Sequence, residues 1–387
     1  MVRNYEIGAV QVDNEHSFMR NVELKTERVS LSYFTKAVSP DLTERYIRER
    51  HIPAFSGGTL EIHMPLDLAK LRYMDSDEEK RAAFFTRNFP ENLQGTSLLS
   101  VVVLTIDIKV GDEISEDDVE YINDILMWEA NDIYITPILK FQDGIGTEDR
   151  VRIYDDFVKR LLEEKNKVTR NLRVGMSVPF FYPRKKINNI FGLYSAEDKV
   201  PQFVLMDFAR SRLTSHSMIG KIQRVKANFN EEGAEKYYLY GFNVKPHKRG
   251  DEVPLAEDVG TFLSGLNSIG KTYRLSDNPV RYIPTPDAWW KLPKAFTADD
   301  YKYHTLEEKS IKNRFKAWSD ENLGTNIDAD TPKGHYYKHI SRYNNFHVNQ
   351  EVKELSTFVK NGEADSIQER IGEKAIAAVV REQLAAT

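Results

Sequence analysis

The sequence predicts an α/β protein: a (β/α)8 TIM-like barrel with an appended C-terminal helical region, with an open doubly wound sheet as the alternative. Three observations predict it. Short β-branched or aromatic runs alternate with longer amphipathic or charged stretches from residue 28 to 275. Several of those runs, SLLSVVVLTIDI and PQFVLMDFA among them, are apolar almost throughout, the pattern of strands buried on both faces of a parallel sheet. Roughly eight strands, most followed by a helix, suit the barrel better than the open sheet.

Taken in order, the predicted strands are 28–34, 59–64, 98–108, 132–139, 171–181, 202–208, 236–244 and 268–274. Between them, Ser115 begins SEDDVEYINDILMW, where Ser115 and Asp118 form a capping-box start and acidic residues fill the first turn. Thr147 begins a second helix, with Val151, Tyr154, Phe157, Val158, Leu161 and Leu162 on one apolar face. Segments 215–230 and 255–266 are further helices. Beyond residue 276, Pro279, Pro284, Pro286 and Pro293 break regular structure, and Trp289, Trp290 and Trp318 cluster. The expected organisation is a barrel over 1–278, a Pro/Trp-rich irregular insertion over 279–334 and a C-terminal helical module over 335–387. That module's main pieces are 348–362 and 364–384, with Gly362 as a helix stop. It is expected to pack on the barrel or to make a homo-oligomer.

Composition bounds the function. The chain has 387 residues, 54 Lys+Arg against 59 Asp+Glu, and a net charge of −5, enough for one large domain or two smaller ones. The lack of a long apolar run argues against a transmembrane helix, and the first 13 residues lack the apolar core of a signal peptide. The absence of cysteine excludes disulfides, Cys-ligated zinc, iron–sulfur clusters and thiol nucleophiles, and a cytoplasmic location is the simplest fit. In a chain of net negative charge, nucleic-acid binding requires a local basic patch.

Barrel enzymes build their sites at the C-terminal ends of the strands. Those places hold Asp107, Lys140, Phe181 and Tyr182, then Arg184 and Lys185, then Asp207 with Arg210 and Arg212, and Asn243 with Lys245 and His247. The set is strongly cationic, and cations gathered at one mouth attract an anion. Arg210 and Arg212 suit bidentate capture of phosphate, and Phe180–Phe181–Tyr182 offers stacking surface. Solvated loop charges are the alternative reading. An Asp at the exit of a buried strand is costly unless paired or used, so Asp207, and after it Asp107, is the candidate nucleophile or general base. Ser56, Gly57 and Gly58 let the backbone approach an anion, or simply form a tight turn before the strand that carries His63. Gly144 and Gly146 precede a helix N-terminus but lack the spacing of a dinucleotide or P-loop fingerprint. GLNSIGKT, residues 265–272, matches a P-loop, which needs a strand before it and a helix after it; a short strand over 259–263 would compete with the helix expected there, Pro279 follows closely, and a turn leading into the eighth strand is the other reading. His335, His339 and His347 lack an acidic third ligand at helical spacing and read as a surface or packing cluster. No metal or cofactor is expected.

The barrel pattern, the early SGG element and the tail YNNFHVNQEVKEL, residues 343–355, together resemble the tRNA-guanine transglycosylase-like superfamily, including relatives that exchange bases in DNA. The resemblance implies a β/α barrel that swaps a guanine for a deazaguanine through an aspartate nucleophile. Asn344 and Glu351 resemble an N…E pattern of the family's end helix. Two departures stand out: the family's Asp before SGG is Phe55 here, and its zinc cysteines are absent. The carboxylate role then passes to Asp207 or Asp107.

The expected function is therefore a barrel enzyme acting on a phosphate-bearing substrate, DNA, RNA or a nucleotide, by glycosyl or base-exchange transfer through a strand-end aspartate. Arg184, Lys185, Arg210, Arg212 and Lys245 would hold phosphates, and Phe181 and Tyr182 would stack a base. The alternatives are a non-catalytic nucleic-acid-binding protein and an assembly protein.

Overall fold

The computed structural model describes residues 4–12, 19–38, 58–88, 98–128, 131–195, 200–231, 236–247, 251, 253–270, 294–324 and 333–385. Its strands are β1 (Tyr5–Val12), β2 (Arg20–Thr26), β3 (Ser30–Leu31), β4 (Thr35–Lys36), β5 (Thr59–Asp67), β6 (Leu99–Ile108), β7 (Tyr134–Ile135), β8 (Ile138–Phe141), β9 (Val174–Val178), β10 (Phe203–Asp207), β11 (Tyr238–Phe242), β12 (Ser268–Ile269), β13 (Lys294–Thr297) and β14 (Lys302–Thr305). Its helices are α1 (Leu68–Asp75), α2 (Glu78–Asn88), α3 (Glu116–Leu126), α4 (Thr147–Val168), α5 (Ile187–Ser195), α6 (His216–Glu231), α7 (Glu257–Leu263), α8 (Lys309–Leu323), α9 (Lys333–Asn361), α10 (Ala364–Ile371) and α11 (Ala375–Ala385).

The fold is mixed α/β, framed by parallel sheets. One has the order β4-β12-β11-β10-β9-β7 and the other β5-β6-β8, and every pairing within both is parallel. Just past β4, Val38 bridges to Leu60 of β5 in parallel, with bonds from Val38 N–H to Thr59 O (2.9 Å) and from Glu61 N–H to Val38 O (2.8 Å). Strands β7 and β8 are halves of the single predicted run 132–139. They part at Thr136 and Pro137, where proline has no N–H for the ladder. β7 pairs with β9, β8 pairs with β6, and Asp132 N–H reaches Ser100 O at 3.2 Å.

Side chains alternate between two apolar layers, as period-2 strands buried on both faces require. Leu99, Val101, Val103, Phe203, Leu205, Tyr238, Tyr240 and Phe242 form one cluster with Tyr5, Ile7, Val22 and Leu24 of the N-terminal antiparallel β1-β2-β3 sheet. Val102, Leu104, Ile106, Val204, Met206 and Leu239 face the helices, against Tyr154, Phe157 and Ile222. The Tyr5 hydroxyl accepts from Phe203 N–H and donates to Val174 O, each at 3.2 Å, so the N-terminal sheet lies against the starts of β9 and β10.

The first predicted strand, 28–34, is displaced. The Thr26 hydroxyl bonds Arg28 N–H and Val29 N–H, closing a tight turn that sends β3 back along β2, and the parallel strand begins at Thr35. In the stretch read as irregular, 279–334, the described residues form the β13–β14 hairpin and α8. α9 is a 29-residue helix that ends at Gly362, whose φ of +71° is the left-handed stop expected there. It packs against β1, β2, β4, β13, α7, α8 and α10, and Val348, Val352 and Leu355 join the main core. Among the described residues no helix is long and apolar enough to cross a membrane.

Candidate functional site

Asp207 is the last residue of β10, in register with Phe242 of β11. It is 4% exposed. Its Oδ1 accepts from Ala209 N–H at 2.8 Å and its Oδ2 from Phe180 N–H at 3.4 Å. The first bond needs an abrupt reversal of the chain: Ala209 and Arg210 have φ of +45° and +64°, the left-handed region that non-glycine residues pay to enter. Asn243, at the exit of β11, has φ +57°, and its carbonyl accepts from Arg210 N–H at 2.9 Å, so the two exits support each other. Burial raises the Asp207 pKa above the usual carboxylate range, and the Ala209 N–H, the Lys140 charge, the Phe180 N–H and the Lys221 charge pull it back.

Lys140 on β8 acts on two walls: its charge is felt by Asp207 on β10 and by His63 on β5. His63 Nε2 lies 3.0 Å from Thr105 Oγ1 of β6, and its ring is 5.2 Å from that of Phe242. Burial, with a smaller push from Lys140, holds the His63 imidazole down at about 3, so it is neutral at neutral pH. Lys221 on α6 is 6% exposed, and burial lowers it to about 8 against the opposing pull of Asp207. Its Nζ donates to Phe180 O and sits 4.9 Å from the Phe180 ring centroid. Phe180 and Lys221 thus meet beside Asp207 at the ends of β9 and β10, the Lys140 charge reaches Asp207 from β8, and the His63–Thr105 pair lies further down, mid-strand in β5 and β6. A carboxylate in that setting can act as nucleophile or base, with lysines to supply charge and protons.

The other expected residues divide. Asp107 is exposed at the end of β6, in register with Lys140 and with Asp67. Arg184 and Lys185 are exposed in a 3-10 turn after β9, with Arg184 lying across Gly220, where a Cβ would come within 3.0 Å of its guanidinium. Arg210 is exposed, and Lys245 is half-buried, with its N–H bonded to Ser211 O. Arg184, Lys185, Arg210 and Lys245 make no ion pair with another described residue. Arg212 instead lies 3.7 Å from Glu257, whose carboxylate also takes the Thr214 N–H and hydroxyl at the start of α6, so the chain's own anion fills that seat. The His247 ring stands 5.0 Å from Tyr303. Asn243 is buried at the β11 exit.

Two aromatic assignments change. Tyr182 is fully buried with its hydroxyl on Asp155 Oδ1 (2.9 Å), and Phe181 packs edge-on to Phe141 and Tyr154. Phe180 is the exposed ring of the three, at 38%. Ser56 and Gly57 lie outside the described residues. Gly58 stands at the start of β5, the opposite end from Asp207, with its carbonyl on Leu99 N–H. The GLNSIG part of the P-loop match runs helix–turn–strand, from α7 to β12, the reverse of what phosphate cradling needs. Gly265 makes the turn at φ +94°, and Gly270 makes room for Glu61, whose carboxylate a Cβ there would overlap at 1.9 Å. Lys271 and Thr272 lie outside the described residues, as does Phe55. Among the described residues no group of three His, Asp or Glu is placed to hold a metal.

His63, Thr105 and Lys221 are the members that sequence reasoning passed over. A period-2 signal marks His63: Thr59, Glu61 and His63 alternate with Leu60, Ile62 and Met64, a polar stripe that Pro65 interrupts before Asp67. For Lys221, inside an ordinary amphipathic helix, no local signal exists.

No family model and no curated protein sequence matches the chain. Among solved structures, the chain is similar to a fructose-bisphosphate aldolase from Campylobacter jejuni, at 11% identity and a TM-score of 0.36, over 86% of this chain and 90% of that one.

Proposed function

We propose that the parallel strands close into a (β/α)8 barrel and that its carboxyl end acts on a phosphate-bearing substrate, nucleic acid or nucleotide, through Asp207. Two features support closure. The two parallel sheets, β4-β12-β11-β10-β9-β7 and β5-β6-β8, come together at both edges, through the Val38–Leu60 bridge between β4 and β5 and through the continuous chain from β7 to β8. Side chains of β5 also meet those of β11, with β4 and β12 lying between the two strands: Glu61 accepts from the Tyr240 hydroxyl at 2.6 Å and His63 packs on Phe242. Below them Thr59, Thr35, Ser268 and Tyr238 link hydroxyls, so that layers of side chains fill the space between the two sheets, as in a filled barrel.

The buried carboxylate of Asp207, held by two N–H groups and in no ion pair with a described residue, carries the functional reading. A charge this buried is retained against its desolvation cost where it has work to do. The exposed cations Arg184, Lys185 and Arg210 and the half-buried Lys245, on the loops after β9, β10 and β11, supply the field for an anion. In base exchange, Asp207 attacks the sugar carbon of the glycosidic bond, the bond to the outgoing base breaks, and Lys140 gives that base its proton. The incoming base then attacks the same carbon and frees the carboxylate, with Asp107 taking its proton.

Labelled single- and double-stranded oligonucleotides, followed by fluorescence anisotropy at low and moderate salt, test the partner: affinity should fall log-linearly and steeply with salt. Absence of binding at low salt removes nucleic acid as the partner. Base-exchange and hydrolysis assays then compare the wild type with Asp207→Asn, which should bind but not turn over; retained turnover removes Asp207 from the chemistry.

A further inference from the structure

Phe180 is the first residue of the aromatic run after β9, and its surroundings differ from those of its neighbours. Phe181 and Tyr182 turn inward, whereas Phe180 stays 38% exposed. Its main chain is held on both sides: its N–H donates to Asp207 Oδ2 and its carbonyl accepts from Lys221 Nζ. The same ammonium sits against the ring, 4.9 Å from its centroid. Among the described residues the exposed large apolar side chains are Val12, Tyr73, Val110, Trp128, Val168 and Phe180, and of these Phe180 alone is bonded to Asp207.

From this geometry we infer that Phe180 is the platform on which a planar base of the substrate stacks, placing the atom attached to that base beside Asp207. The inference rests on the proposed anionic, base-bearing substrate and names the residue that reads its planar part. A ring held in place by backbone bonds loses little freedom when a base settles on it, and stacking tolerates any base because each presents a π-face. Lys221 is the positioning residue. Its ammonium fixes the Phe180 carbonyl and covers part of the ring, which leaves the rest for the ligand. The cations on the neighbouring loops take the phosphates on either side of the stacked nucleotide.

The test compares a short single-stranded oligonucleotide with a counterpart of the same length whose central nucleotides are abasic, so that the phosphates are kept and the bases removed. The wild type should bind the intact strand roughly tenfold more tightly, the range expected for one stacked base. Phe180→Leu should erase that difference and Phe180→Trp should keep it. Equal affinity of the wild type for both strands overturns the stacking role while leaving the anionic mouth standing. Equal weakening of both strands by Phe180→Leu overturns it as well, because the ring would then be a mere support. Failure of both strands to bind the wild type at low salt overturns the nucleic-acid reading itself, and the stacking role with it.

Discussion

Of the regions that bury carboxylates, two treat them differently. Under the C-terminal helices, Asp258 on α7 accepts from Lys36 Nζ at 2.6 Å and from the Tyr303 hydroxyl at 2.6 Å. Nearby, Glu351 on α9 takes Arg370 through its Nε at 2.7 Å and its Nη2, and also the Tyr301 hydroxyl. Each of these carboxylates has a cation in direct contact and a tyrosine beside it. At the end of β10, Asp207 is as buried, yet it makes no ion pair with a described residue; two N–H groups hold it, and Lys140 and Lys221 act on it from a distance. A buried charge that is neutralised in place joins elements of the fold, while one left partly unquenched keeps its reactivity.

Substitutions separate the structural carboxylates from the reactive one. The largest effect belongs to Asp258→Ala, which strands the Lys36 ammonium in the interior; it should cost about 3–5 kcal/mol in urea unfolding. A cost near zero would mean that the pair is not structural. Glu351→Gln should cost less, about 1–3 kcal/mol, because Arg370 is partly solvated and can turn to water or to Glu354. Asp207→Asn should go the other way. Burial raises the carboxyl in the folded state, so the ionised form opposes folding, and stability is lost as pH rises through the raised value. The Asn variant should therefore melt at or above the wild-type temperature at neutral pH while losing turnover; a lower melting temperature would place Asp207 among the structural carboxylates.

The remaining effect is absent at neutral pH and emerges only in acid. His63 is held down at about 3 and His347 at about 4, both chiefly by burial, from an ordinary value of 6.5. Below pH 6.5 the unfolded chain binds protons that the folded one refuses. Stability from these groups is thus full above that value and declines as pH falls toward 3–4. Melting curves of His63→Gln should show a shallower acid decline than the wild type, and identical slopes would show that His63 does not contribute.

Much of the frame is legible in local pattern. The Ser115–Asp118 capping box forms as read, with Ser115 accepting from Asp118 N–H and Asp118 from Ser115 N–H. The apolar face of α4 is buried at Val151, Tyr154, Phe157, Val158, Leu161 and Leu162. Asp207 stands at its strand exit because the run LMDFAR ends its apolar stretch there. The tail is less direct. Asn344 and Asn349 on α9 each bind a strand by backbone mimicry, Asn344 through Phe296 N–H and Lys294 O, Asn349 through Lys36 N–H and O. Their spacing carries no sign of which strand they meet, since Lys36 lies more than three hundred residues away from Asn349 in the chain.

The sequence by itself determined the alternation of strands and helices, the caps and stops, and the placing of a carboxylate at the end of β10. All of these follow from side-chain periodicity and backbone chemistry within a few residues. Tertiary structure decided the rest of the candidate site. It turned Phe181 and Tyr182 inward and Phe180 outward, and it brought the charge of Lys140 on one sheet within range of Asp207 on the other. It also added His63 and Lys221, and it closed Arg212 onto Glu257. The physical reason is that orientation beyond a strand end is no longer governed by the ladder's period of two. It is settled by which neighbours, distant in sequence, offer a partner or a cavity.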